Sequence, residues 1–238
     1  MQVKTKAIVI SALRYQERSL IVKCFTESDG LKSYYVRDAF SPAKKASQKR
    51  VYFQPLTILE IEASHRNKGS LEYFKEVRPL HPYLSIHSDV IKTTITLFLS
   101  EILHHSIREE EKNQNLYAFL EASLLWLDSH DEVANFHLIL IMELTKFLGF
   151  YPNNSKQFYP FFEMTEGVFV PYQSITCLSE QETALLKKLM ELRLNNSVKT
   201  FHVSERQALL KILMDYYALH LDNFIRPKSV DVLKEVFT

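Results

Sequence analysis

The feature that most constrains this chain is an abrupt change of texture at residues 78–83, "RPLHPY". Before it, apolar and aromatic residues sit in short β-branched runs; after it they recur every three to four residues. The first pattern suits strands, and the second puts one apolar stripe along a helix. A chain that makes this switch once is α+β, with its strands gathered at the N-terminal end. Pro79 and Pro82 mark the switch, because proline cannot donate to a strand ladder.

Five runs precede the switch: "KAIVISAL" at 6–13, "SLIVKCFT" at 19–26, "LKSYYVRDA" at 31–39, "VYFQPLTILEIEA" at 51–63 and "LEYFKEV" at 71–77. Turns at "ESDG" (27–30) and "NKG" (67–69) separate some of them. Five strands in under 80 residues predict a small closed or partly open barrel, since an open sheet would leave long edges unpaired. Beyond the switch, helices are predicted over 90–107, 115–130 and 131–149, with Gly149 as a stop. Residues 150–178 read as an irregular segment with a small hairpin at Glu166-Gly167. Two capping boxes, Ser179 with Glu182 and Ser204 with Gln207, open further helices, and a short one follows Pro227. The expected domains are therefore 1–78 and 79–238.

Composition excludes several classes. No apolar run reaches the ~18 residues of a membrane span, and the N-terminal stretch meets Arg14, Glu17 and Arg18 too early for a signal peptide. Cys24 and Cys177 are too few for a disulfide framework and read as reduced thiols of a cytoplasmic protein. Four glycines cannot write a phosphate loop or a dinucleotide fingerprint. Neither His104-His105 nor His130 and His137 have metal-ligand spacing, and no nucleophile motif occurs. An enzyme, a metal and a cofactor are all unexpected.

Charge is the positive signal. Residues 1–78 hold 15 Lys and Arg against 8 Asp and Glu, a net +7, while the remainder carries −6. Lys44, Lys45, Lys49 and Arg50 fall within seven residues that hold no acid. Arg14, Arg18 and Arg37 add to them, and Tyr15, Tyr34, Tyr35, Tyr52 and Phe53 interleave. Cations that neutralise phosphates and rings that stack on bases are how small barrels hold single strands. By itself the charge implies only an anion.

The order of residues narrows this. Arg14, Tyr15, Glu17 and Ser19 are followed by Phe25-Thr26 and Gly30, then Val36-Arg37, a basic loop and Gln54-Pro55. With "EVRPLHPY" leading into the helices, this resembles the RecO family of bacterial recombination mediators. The resemblance implies an oligonucleotide/oligosaccharide-binding (OB) barrel followed by a helical domain. It implies binding of single- and double-stranded DNA, annealing of complementary strands, and cooperation with RecR in loading RecA onto strands coated by single-strand-binding protein. The acidic, apolar-ended C-terminal tail of that coating protein would dock on the helical domain, and the protein would sit at the nucleoid. The expected DNA contacts are Lys44, Lys45, Lys49 and Arg50, supported by Arg14, Arg18 and Arg37, with Tyr34 and Phe53 stacking. Val51 to Leu56 are expected in the barrel wall. Many family members carry four zinc-binding cysteines after a "GF.P" segment. Here that segment holds only Cys177, so no zinc is expected. Phe158, Tyr159, Phe161, Phe162 and Phe169 would form an apolar cluster in its place. On the residues alone, a generic single-stranded DNA- or RNA-binding barrel and a protein-interaction adaptor stay open.

Overall fold

The computed structural model describes residues 1–40, 50–66, 71–108, 112–196 and 200–237. It divides into two compact units, 1–129 and 130–238. In the first, β1 (Gln2–Tyr15), β2 (Ser19–Thr26), β3 (Gly30–Val36), β4 (Ile58–Ser64) and β5 (Glu72–Pro79) close into a barrel in the order β1-β2-β3-β5-β4. All pairs are antiparallel except β3 with β5. This is an OB-type barrel followed by helices, so the fold is α+β. β1 serves two neighbours, β4 through its first half and β2 through its second. A register shift between Val9 and Ser11 bends it to do so.

Ala7, Val9, Val22, Cys24, Tyr34, Leu59, Ile61 and Ala63 fill the interior. Ile8 and Ile10, on the other face of β1, are just as buried. The helix α1 (Val90–Ser106) packs against that strand, and Phe25 meets Tyr117 of α2 (Gln114–Ser129) at 6.1 Å. The connection into the helices is stitched by Asp128, whose carboxylate accepts the backbone N–H groups of Leu84, Ser85 and Ile86. Burial pushes that carboxyl up, but these bonds bring it below its ordinary value. Lys92 is buried and its Nζ donates to Ser85 Oγ and to the Asp128 carbonyl. The change of texture lies at 78/79, whereas the compact unit runs on to Ser129.

The run 51–63 is not one strand. Residues 50–52 are helical, Leu56 has φ +59°, and β4 begins only at Ile58. Leu56 N–H donates to Val9 O and Val9 N–H to Thr57 O, so this segment turns into the barrel before pairing along it. Val51 is accordingly exposed rather than part of the wall. The "NKG" turn and the "REEEK" acids at 109–111 lie outside the described residues.

In the second unit, α3 (Phe136–Leu148) is buried on nearly all sides and ends at Gly149, φ +85°. A hairpin of β6 (Phe161–Glu163) and β7 (Val168–Val170) follows, then α4 (Glu180–Glu191), a 3-10 turn at Leu194–Asn196, α5 (Val203–His220) and α6 (Val230–Val236). Gly167 must be glycine: its φ is +66°, and a Cβ there would lie 2.5 Å from the Tyr216 hydroxyl. The Ser179–Glu182 capping box forms. The second box does not involve Ser204 and Gln207. The cap is two residues earlier, where His202 N–H donates to the Glu205 carboxylate at 2.7 Å.

The aromatic segment divides in two. Phe162 and Phe169 are buried, 5.0 Å apart, and Phe162 meets Tyr216 at 5.8 Å. Phe158 instead is 76% exposed, with Tyr159 beside it at 4.3 Å. Tyr216 donates to Phe150 O and Tyr217 to Ile141 O, so hydroxyls and rings pin this region to α3. Among the described residues no three His, Cys, Asp or Glu side chains gather as metal ligands would, and no helix is long and apolar enough to cross a membrane.

Candidate nucleic-acid interface

The β1–β2 hairpin turns at Gln16–Arg18, with Gln16 at φ +55°. A second turn, 37–40, follows β3, with Asp38 at φ +53°. The two turns are joined where Phe40 N–H donates to Arg18 O at 3.0 Å. Phe40 then organises charge. The Arg14 guanidinium lies 4.9 Å from its ring centroid and that of Arg50 lies 5.1 Å away. A ring face attracts cations, so one phenylalanine gathers two arginines that are 36 residues apart in sequence. Arg14 is further fixed by donating to Glu17 O at 2.8 Å. Arg18 and Arg37 stand exposed on the two turns.

Four of the predicted contacts, Arg14, Arg18, Arg37 and Arg50, thus come from three segments to one end of the barrel. Among the described residues, none of the four has a carboxylate within 4.0 Å. Four other cations of the barrel are paired instead. Lys4 and Arg78 pair with Glu60, Lys75 with Glu62, and Lys6 with Glu121. The hydrogen bond from Arg78 holds the Glu60 carboxyl below its ordinary value. Burial lowers the pKa of Lys23, which is half-buried. Lys44, Lys45 and Lys49 lie outside the described residues; Arg50 is the next residue in the chain.

The two predicted stacking rings are corrected. Tyr34 is fully buried, stacks on Phe74 at 4.1 Å and bonds His65 Nε2 through its hydroxyl at 2.7 Å. Phe53 is also buried and stacks on Phe74, 5.6 Å from it. Both belong to the barrel core, so neither can receive a base. Alternation explains the error for Tyr34: neighbours in a strand point to opposite faces, and Tyr35 takes the outer one. The register aligns Leu13, Ile21, Tyr35 and Tyr73 across β1, β2, β3 and β5, with Tyr15 two residues beyond Leu13 on the same face. Tyr15 and Tyr35 meet edge to face at 6.2 Å, and Tyr35 and Tyr73 do so at 6.0 Å. Tyr35 also shares a hydrogen bond with Ser19 at 2.8 Å. This row was not assigned from sequence. The parity of β3 against an apolar neighbour such as Val36 could have indicated Tyr35, but the pairing with Tyr73 depends on a non-sequential strand contact.

The geometry can be set beside known proteins. The chain matches the family descriptions "Recombination protein O N terminal" over residues 1–83 and "Recombination protein O C terminal" over 87–229. It is 66% identical over 239 residues to the DNA repair protein RecO of Flavobacterium psychrophilum and 62% identical over 238 residues to that of Flavobacterium johnsoniae. A third relative, the DNA repair protein RecO of Christiangramia forsetii, is 41% identical over 240 residues, and all three alignments span the whole of both chains. Matched by both family models over nearly its whole length and by these relatives end to end, the chain belongs to the RecO family.

Proposed function

We propose that this chain is a DNA repair and recombination mediator that binds single- and double-stranded DNA and anneals complementary strands without making or breaking covalent bonds. The observation that carries the reading is the set of four arginines, gathered on two turns and around Phe40, that no described carboxylate neutralises. Phosphates supply the missing countercharge and release their counterions in doing so. Lys44, Lys45 and Lys49 add three more cations just before Arg50 in the sequence, and Arg50 itself lies beside Phe40. The relatives' names as DNA repair proteins support the biological setting.

In this reading RecR and, indirectly, RecA cooperate with the protein, and the helical unit receives the acidic tail of single-strand-binding protein. A small cleft between α5 and α6 bears on the last point. Leu210, Leu233 and Phe237 line it with His137 of α3, and Arg206 and Lys234 stand beside it; Lys234 is paired with Asp231, a partner that an acidic tail would displace. A salt titration tests the DNA contact. Removing Arg14, Arg18, Arg37 and Arg50 should flatten the slope of log affinity against log salt by up to about 0.7 per lost contact on single strands. An unchanged slope and affinity rejects the surface. Strand annealing with and without single-strand-binding protein tests the tail: Arg206→Glu should slow annealing only on coated strands. A barrel that binds RNA as tightly as DNA of the same sequence would favour the generic single-strand reading.

A further inference from the structure

We infer that the outward row Tyr15, Tyr35 and Tyr73 is a stacking platform for unpaired nucleobases, and that it gives single strands an advantage over duplex on this barrel. The inference rests on the proposed DNA contact and adds to it a base-reading surface. Three observations carry it. First, strand register puts the three rings on one outer face, from β1, β3 and β5. Second, they are not core: Tyr15 is 42% and Tyr73 50% exposed, Tyr35 between them is half-buried, and each ring contact along the row is edge to face, so each contact covers one ring face where a stack would cover two. Leu13 extends the row at 61% exposure. Third, the row begins at the hairpin that carries Arg14 and Arg18, and β3 leads from Tyr35 directly to Arg37. Cations without described countercharge beside exposed rings fit a ligand that is anionic along its backbone and flat and apolar along its bases. An acidic peptide would satisfy the arginines and leave the rings without flat partners. Duplex satisfies the arginines too, but its base faces are already stacked on each other, so only an unpaired strand engages both features.

The test compares an oligothymidine strand and a blunt hairpin duplex of equal phosphate number, by fluorescence anisotropy on the full chain. The double variant Tyr15→Ala/Tyr73→Ala should weaken single-strand binding about 25-fold, taking about fivefold per ring from a stacking contribution near 1 kcal/mol. Duplex binding should stay within about twofold. Equal losses on both ligands, or no loss on the single strand, overturn the platform and leave the arginine contact standing. A wild-type chain that binds neither ligand overturns both. Tyr73→Trp on a Trp126→Phe background gives a readout independent of affinity: its single indole should be quenched by the saturating single strand and not by the duplex. Emission unmoved by the single strand overturns the inference.

Discussion

The barrel has two outward surfaces built from the same strands, and they handle charge in opposite ways. Over β4, β5 and the start of β1, cations interleave with Glu60, Glu62 and Glu121, and each of Lys4, Lys6, Lys75 and Arg78 has a carboxylate partner. Around the β1–β2 hairpin and the turn after β3, Arg14 and Arg50 are held by a ring, and Arg14 by a backbone carbonyl, instead. A carboxylate would cancel the field that a phosphate needs, whereas a phenylalanine face positions a guanidinium and leaves its charge in place. Net charge does not make this distinction; the choice of partner does.

The comparison can be broken or sharpened by experiment. The largest effect separates the inside of β3 from its outside. Tyr34→Ala should cost about 3–5 kcal/mol in urea unfolding, because it empties a core site and removes the partner of Nε2 of buried His65. Tyr35→Ala, one residue on, should cost only about 1 kcal/mol. Equal costs would mean that the two faces are not distinct.

The next effect sets one unit against the other. His137 of α3 is buried, and that burial, aided by Arg206, holds its pKa at about 3, against about 6.5 when unfolded. Between those values the unfolded chain binds the extra proton, so stability falls as pH drops below about 6.5, by up to about 1.4 kcal/mol per unit. At pH 5 the helical unit should have lost about 2 kcal/mol. His87, His104 and His105 of the first unit are also lowered by burial, but they are partly exposed and contribute less. Asp128 of that unit is lowered too and has the same sign, but its contribution is lost only as pH falls through the ordinary carboxylate value toward its lower folded one. On acidification, ellipticity at helical wavelengths should decline before the emission of Trp126, which lies in the first unit, and His137→Leu should reduce the gap.

A smaller effect reads the charged surfaces directly. Arg50→Ala should lower the salt slope of single-strand binding by up to about 0.7. The smallest runs in reverse on the paired surface. Glu60→Gln leaves Lys4 and Arg78 without their shared carboxylate, so duplex binding should gain a weak salt-dependent component, up to about 0.9 of slope for each cation that reaches a phosphate. No change there would show that geometry, not neutralisation, sets the two surfaces apart.

Much of the molecule was legible in the order of its residues. Short β-branched runs and their turns gave five strands, and the change of period at Pro79 and Pro82 gave the start of the helical part. Gly149 and the Ser179–Glu182 box were readable because a helix end depends on a few adjacent residues. The segment 51–57 was not readable as a turn, since its apolar composition suits a strand and only the bonds to β1 bend it inward. His202 outranked Ser204 as a cap because its position at the end of the helix, fixed by packing, mattered more than its side chain.

The site divides in the same way. Sequence alone determined that the front of the chain is cationic, that Arg14, Arg18, Arg37 and Arg50 are among its charges, and that tyrosines lie between them. Tertiary structure decided which of those charges remain unneutralised and which rings face outward. Charge pairing joins residues as distant as Lys6 and Glu121, and barrel closure brings Tyr73 of β5 beside Tyr35 of β3. Composition fixes how many such groups exist, but a contact across a closed sheet is set by register, and a shift of one residue exchanges Tyr34 for Tyr35.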